Sequence, residues 1–349
     1  MIDYATYGRL HKKLYFPPLS PGPHDKWPKN LSLDMEEVQE QYILLPPNVH
    51  AFDMKEKEWR NLPIDDVEPI QWNKDAFQRL VLPKKTKDLV RALVMVRRPS
   101  QGKRENLYLF GDKNDVISGK GNGLILLLHG GPGTGKTLTA ESVAELAEMP
   151  LYSVTCGDIG TTADSVEKYL HTVMYLGKTW NCVLLLDEAD VFLEERTLSD
   201  LERNSLVSVF LRTLEYYDGI LILTSNRIGT FDEAFKSRIQ VALHYPSLDA
   251  PSRKKIWQGF LEMLAESDQD VDTEDILSHL DEIADHEMNG RQIRNVLATA
   301  HQLAIFKKQR LEWEHVELSL ENAEQFNKYS RKLQGVSDTD RARDEKVRW

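Results

Sequence analysis

The stretch GGPGTGKT, Gly130 to Thr137, combines closely spaced glycines with a lysine and a hydroxyl residue. It fits G-x-x-x-x-G-K-[ST] and lies between an apolar run, LILLL (124 to 128), and text that reads as the start of a helix. In that setting Gly131, Gly133 and Gly135 let the backbone turn its N–H groups toward phosphate oxygens, and the helix start adds its partial positive charge. Pro132, Thr134 and Leu138 complete the stretch that lines a bound nucleotide. Lys136 would reach the terminal phosphates of ATP, and Thr137 would be a ligand of Mg²⁺.

A second pair of chemical residues closes the run CVLLL (182 to 186): Asp187, then Glu188. A carboxylate at the end of a buried strand emerges at the carboxyl edge of the sheet, where open α/β sheets bind ligands. Asp187 is placed there to hold Mg²⁺ through water, and Glu188 to polarise the water that attacks the γ-phosphate. Asp190, Glu194 and Glu195 read as surface charge. Asp187 to Asp190 also spell DEAD, the acid motif of RNA helicases. That reading requires a Ser-Ala-Thr tripeptide shortly afterwards and a second α/β lobe with an arginine-rich motif, and neither follows.

These residues need a sheet to carry them. Five short apolar runs alternate with helical text between Gly123 and Pro246: LILLL, LYSV (151 to 154), CVLLL, ILIL (220 to 223) and VALHY (241 to 245). Such alternation predicts buried parallel strands in a doubly wound α/β sheet. The helix from Thr137 to Met149 is expected to turn Leu138, Val143, Leu146 and Ala147 inward. Upstream, Phe77, Leu80, Val81, Leu89, Leu93 and Val96 have helical spacing with a break at Pro83. After Pro246 the text turns to helices, with faces at Ile256, Phe260 and Leu264, at Ile276, Leu277, Leu280 and Ile283, and from Ile293 to Ala304.

The expected divisions are therefore an accessory region at 1–70, a large α/β subdomain at 71–247, a small all-α subdomain at 248–328 and a charged tail at 329–349. The first holds the proline-rich FPPLSPGPHDKWP (16 to 28) and short strands in QYILLPP (41 to 47) and HAFDMKEKEWRNLPI (50 to 64), a partial β-rich module. The tail from Ser337 is expected to be disordered.

Bulk composition narrows the partners. The 349 residues are 41% hydrophobic and 28% charged, with a net charge of -11. An acidic balance gives no footprint for a phosphate backbone and weighs against nucleic acid. Cys156 and Cys182 are too few for a disulfide framework, which suits a reducing compartment. No apolar run approaches the roughly 18 residues of a membrane span, and no signal pattern opens the chain. The expectation is a soluble intracellular protein, cytoplasmic by default.

The text after the fourth run, TSNRIGTFDEAFKSRIQ (224 to 240), completes an order of motifs that resembles the AAA group of AAA+ ATPases over roughly residues 72 to 326. By that resemblance the fold is a P-loop NTPase domain followed by a helical lid. Asn226 becomes the sensor 1 residue that orients water. Arg238 becomes an arginine finger reaching in trans to the ATP of a neighbouring subunit. NGRQIRNVLATA (289 to 300) falls at the sensor 2 helix, with Arg291 or Arg294 as the phosphate-contacting arginine. The chain also resembles fungal AAA ATPases with an N-terminal accessory domain. The family implies ATP and Mg²⁺, a ring homo-oligomer of six subunits, and remodelling of a protein client. One departure stands out: where threading rings carry an aromatic-hydrophobic-Gly triplet, this sequence has Asp158-Ile159-Gly160, similar to the shorter loops of AAA proteins that handle folded clients. The competing readings are a nucleic-acid motor or loader and an ATP-gated scaffold with little turnover.

Overall fold

The computed structural model describes residues 1–11, 47–98, 123–160, 162–193, 201–227, 231–266 and 270–334. It divides into two compact units, residues 1–71 and 72–349.

In the first unit, helix α1 (Tyr4–Leu10) starts at Asp3, whose carboxylate accepts the Thr6 N–H at 3.0 Å. Strands β1 (Asn48–Asp53) and β2 (Glu58–Pro63) form an antiparallel hairpin in which Phe52 faces Trp59. Asp53 shapes its turn by accepting the N–H groups of Lys55 and Glu56, at 2.9 and 3.1 Å. Tyr7 stacks on His11 and His50 with ring centroids 4.6 and 4.9 Å apart. The strands expected within His50–Ile64 are this hairpin; the proline-rich segment and most of QYILLPP lie outside the described residues, as does the tail from Ser337.

The second unit opens with α2 (Asp75–Arg79) and α3 (Lys84–Met95), the latter starting after Pro83. The inward face of α3 is not the expected one: Val90 and Val94 are buried, whereas Leu89 and Val96 are exposed. Leu89, Val90, Leu93 and Val94 form two overlapping apolar stripes, and spacing alone does not choose between them.

Then come β3 (Leu124–Gly130), α4 (Lys136–Ala147), β4 (Leu151–Thr155), α5 (Cys156–Ile159), α6 (Ala163–Thr179), β5 (Val183–Asp187), α7 (Asp190–Leu193), α8 (Leu201–Glu215), β6 (Ile220–Ser225), α9 (Glu233–Lys236) and β7 (Val241–Tyr245). The five strands from β3 onward are parallel, in the order β4-β5-β6-β3-β7. Leu124 to Leu128 are each at most 3% exposed, so both faces of β3 are covered, as a doubly wound sheet requires. Leu124, Leu126 and Leu128 pack with α2, α3 and α4 through residues such as Phe77, Val94 and Val143. On the opposite face α6 approaches closely at Gly177, where a β-carbon would come within 2.8 Å of Leu184. Phe210 of α8 stacks at 5.0 Å on Phe192 and at 5.7 Å on Phe235. The run VALHY is an edge strand rather than a buried one: among the described residues β7 pairs with β3 alone, and Ala242 and His244 are exposed.

The chain ends in five helices: α10 (Ala250–Glu266), α11 (Thr273–Ser278), α12 (Leu280–Asp285), α13 (Gly290–Lys307) and α14 (Trp313–Gln334). Their core is built on Trp257 and Leu261 with Ile276, Ile283, Ile293 and Leu297. Ile256, Phe260 and Leu264 flank it, so the face expected for α10 is one residue out of register, and on α11 Leu277, also expected to face inward, is exposed. Buried Arg253 binds the subdomain together: its Nε donates to the Ala284 carbonyl at 2.7 Å and its Nη1 to that of Leu248 at 2.6 Å.

Trp257 has no solvent exposure. Trp257→Ala is therefore expected to destabilise the helical subdomain by about 3–5 kcal/mol, measured by chemical denaturation followed by circular dichroism. A loss below about 1 kcal/mol would show that the core is not organised around this side chain.

Candidate active site

The glycine-rich loop joins the end of β3 to α4 and has left-handed backbone at Gly133 (φ +70°) and Gly135 (φ +99°). Only glycine adopts both without strain, and the two together curve the loop into a cradle. At Gly133 there is a second constraint, since a β-carbon would come within 2.5 Å of the Asn289 side chain. Thr134 closes the turn by donating to the Gly131 carbonyl at 2.8 Å. Pro132 is exposed on the loop's outer side.

Lys136, the first residue of α4, is 7% exposed. Its Nζ donates to the carbonyls of Gly130 at 2.9 Å and Gly131 at 2.7 Å, and to Asn226 Oδ1 at 2.9 Å. The loop lysine and the residue after β6 thus meet directly. Burial of Lys136 also fixes the rotation of α4. At about 100° per residue, Leu138 falls on the opposite side, and it is 53% exposed rather than inward as its hydrophobicity suggested. Thr139, Ala140, Val143 and Ala147 take the inward positions.

Asp187 ends β5 beside this loop. Its two carboxylate oxygens each lie 3.2 Å from Thr137 Oγ1, which donates to them. A hydroxyl and a carboxylate brought together are a hard-oxygen donor set of the kind that suits Mg²⁺. Glu141, one turn along α4, has its carboxyl raised above the usual range, first by burial and then by the Asp187 charge, while Arg294 opposes the shift. That places the Arg294 charge in the neighbourhood of Glu141. Arg291, like Arg294, is exposed on α13.

Glu188 has φ +56°, an unfavourable conformation for a non-glycine residue at a strand end. Thr224 holds it there. The Thr224 hydroxyl accepts the Glu188 N–H at 2.9 Å and donates to Asp187 Oδ1, and its own carbonyl accepts the Ala189 N–H at 2.9 Å. Thr224 is 1% exposed and was not singled out from sequence. Its signal was available as a hydroxyl residue within an apolar strand, immediately before Ser225-Asn226.

Asp190 is not the free surface charge that was expected. Its carboxylate is half-buried and accepts the Ser225 hydroxyl. Glu194 and Glu195 lie outside the described residues. Arg238 is engaged away from the loop: Nη1 donates to the Ala234 carbonyl at 2.8 Å and Nη2 to Glu215 Oε2 at 3.2 Å. The structure therefore brings Lys136, Thr137, Asp187, Glu188 and Asn226 to one sheet edge, and leaves Arg238 at the C-terminal end of α8.

The helical subdomain also reaches the loop. Gly290 N–H donates to the Gly133 carbonyl at 2.9 Å. Asn289 caps α13 in a reciprocal pair with Gln292, at 2.9 and 2.8 Å. His129, in β3 just before the loop, is depressed below the usual histidine range, first by burial and then by the charges of His244 and Lys136.

Residues 126–247 match the family of ATPases associated with various cellular activities, AAA, and residues 248–337 match the fungal AAA+ ATPase lid domain. A putative 26S proteasome regulatory subunit homolog of Methanothermobacter thermautotrophicus is 30% identical over 207 residues, 56% of this chain and 54% of that protein. The human ATPase family AAA domain-containing protein 3B is 32% identical over 137 residues, 38% of this chain and 21% of its own length. Its counterpart 3-B of Xenopus laevis is 35% identical over 136 residues, 37% and 23% respectively. The chain thus spans about half or less of the length of these relatives.

Thr224→Val keeps the shape of the side chain and removes its hydroxyl. The Glu188 N–H then loses its acceptor, at a cost of about 1–3 kcal/mol. If this cost falls on the reaction barrier, turnover of ATP drops roughly 5- to 150-fold. Steady-state phosphate release beside the unmodified protein measures it, and an unchanged rate would show that the hydroxyl bridge does not support the site.

Proposed function

We propose that this chain, which carries an AAA ATPase domain over residues 126–247 and a fungal AAA+ lid domain over 248–337, couples ATP hydrolysis to remodelling of a protein client as a ring of subunits. The observation that carries the reading is the meeting at Lys136 of the loop after β3 and the segment after β6, with the loop carbonyls on one side and Asn226 on the other.

Each side chain then has a role that its position supports. Lys136 neutralises the terminal phosphates, and the loop N–H groups hold the remaining oxygens. Thr137 and Asp187 would hold Mg²⁺, which when bound spreads the charge of the phosphate oxygens. Glu188, held at the strand end by Thr224, accepts a proton from the attacking water, and Asn226 orients that water. Arg238 serves a neighbouring subunit's ATP; its engagement with Glu215 and Ala234, away from its own loop, supports action in trans. Of the two lid arginines, the electrostatic link to Glu141 favours Arg294 over Arg291 as the one that senses phosphate.

The client reading draws on the segment after β4. A short helix, α5, has a reciprocal cap between Thr155 and Asp158, and Ile159 is 2% exposed. An apolar side chain buried within its own subunit offers no grip on an extended polypeptide, which favours a folded client over a threaded one. One relative is named as a homolog of a proteasome regulatory subunit, which accords with work on proteins.

Two variants test this. Glu188→Gln is expected to bind ATP with turnover lowered at least about 100-fold, and to shift the protein to a larger assembly in size-exclusion chromatography with ATP. Arg238→Ala is expected to retain ATP binding and to lose about 10³-fold or more in turnover. Unchanged turnover in Arg238→Ala, or full activity from a monomer, would overturn the ring.

A further inference from the structure

Asp190 closes the acid string after β5, yet its carboxylate faces the tip of the next strand over, β6. Oδ1 accepts the Ser225 hydroxyl, and the Asn226 N–H points to Oδ2 at 3.5 Å. Ser225 has no solvent exposure, and its oxygen also accepts the Arg227 N–H at 3.0 Å. The Ser225 hydroxyl has one proton and two acceptors within reach, Asp190 Oδ1 and the Arg227 carbonyl at 2.9 Å, of which a carboxylate is the stronger. One carboxylate thus fixes the backbone on both sides of Asn226: directly through its N–H, and through Ser225 to Arg227.

Asn226 follows the last paired residues of β6, which among the described residues are Ser225 on the β3 side and Leu223 on the β5 side. Its side chain receives the Lys136 ammonium at 2.9 Å. The Asp190 carboxylate holds the backbone that carries this side chain. We propose that Asp190 is a positioning residue for ATP hydrolysis, acting through Asn226 and touching neither nucleotide nor water itself. The inference rests on the reading of Asn226 as the residue that orients the attacking water.

The role requires a carboxylate. In Asp190→Asn one acceptor becomes an N–H₂ group: facing the Asn226 N–H it opposes a donor, and facing Ser225 it reverses that bond, turning the hydroxyl proton to the Arg227 carbonyl and replacing a charge-assisted contact by a weaker neutral one. Asn226 would then occupy its position only part of the time, which slows the chemical step and leaves ground-state binding through the loop intact.

The test measures ATP turnover and the affinity for a fluorescent ATP analogue in the full chain for Asp190→Asn, Ser225→Ala, Asn226→Ala and the double variant Asp190→Asn with Asn226→Ala. Asp190→Asn is expected to lower kcat about tenfold or more, with KM and analogue affinity changed by less than about threefold. The double variant is expected to be no slower than Asn226→Ala alone, within about twofold, because both changes act through one group. Ser225→Ala, which removes one of the two contacts, is expected to give the same kcat-selective loss and stands in if Asp190→Asn does not fold. Losses that multiply in the double variant, or a fall in analogue affinity equal to the fall in kcat, would overturn the positioning role. If Asn226→Ala turns over as the unmodified protein does, the reading of Asn226 itself fails; if Asn226→Ala is slow and both Asp190→Asn and Ser225→Ala are normal, only the role of Asp190 fails.

Discussion

The active site depends on one buried ammonium. Lys136 is almost fully removed from water, and an unsatisfied charge there would cost far more than the domain's stability allows. Its donors are received by the carbonyls of Gly130 and Gly131 and by the amide oxygen of Asn226. The first two belong to the loop that ends β3 and the third to the segment that leaves β6. Satisfying Lys136 therefore requires these two strands to end at the same level. The parallel register that pairs His129 with Ser225 provides this.

A sheet alone delivers strand ends to within a few ångströms, which is too coarse for chemistry. The remaining precision comes from short polar side chains that stitch one strand tip to the next. Thr224 joins β6 to the end of β5 through Asp187 and the Glu188 N–H, and Thr137 joins α4 to the same carboxylate. Each stitch uses groups that are partly or wholly out of water, where leaving a donor unpaired is expensive, so the network resists distortion. Glu188 shows the effect most directly. A left-handed backbone at a glutamate is unfavourable, and it is held by bonds from a neighbouring strand.

Much of this was legible in the sequence, and the failures follow a physical pattern. The P-loop and the acid pair were readable because phosphate binding demands glycine, lysine and hydroxyl at fixed spacing after a strand. The inner strands β3, β5 and β6 were readable because burial on both faces leaves continuous apolar runs, and the edge strands β4 and β7 by their place in the alternation. The helix faces were read less well. Leu138, Leu89 and Ile256 are apolar residues next to the true inward positions, and helix rotation was decided by what the helix had to dock: a buried lysine in α4, and the tryptophan-centred core in α10. Asp190 and Thr224 were missed for a related reason. A polar residue's partner lies on another strand, and in a parallel sheet that partner is tens of residues away in sequence, where local spacing carries no trace of it.

The lid is tied to the loop by the same kind of short-range bond. Gly133 carries a left-handed backbone, leaves no room for a side chain beside Asn289, and accepts the Gly290 N–H. Asn289 in turn caps α13, and the segment before it runs back to the end of α12, where buried Arg253 binds both that terminus and the Leu248 carbonyl at the entry to the lid. The chain of contacts is continuous from the phosphate cradle to the junction of the two subdomains. A glycine in the cradle has little stiffness of its own, so the position of its carbonyl is set by whichever partner holds it more firmly. A shift of the loop around phosphate must therefore either break the Gly290 bond or carry the capped start of α13 with it. In the second case the whole helix moves as a body, because its cap, its core residues Ile293 and Leu297 and the Arg253 clasp form one packed unit. The loop and the start of α13 are thereby joined by packing and hydrogen bonding.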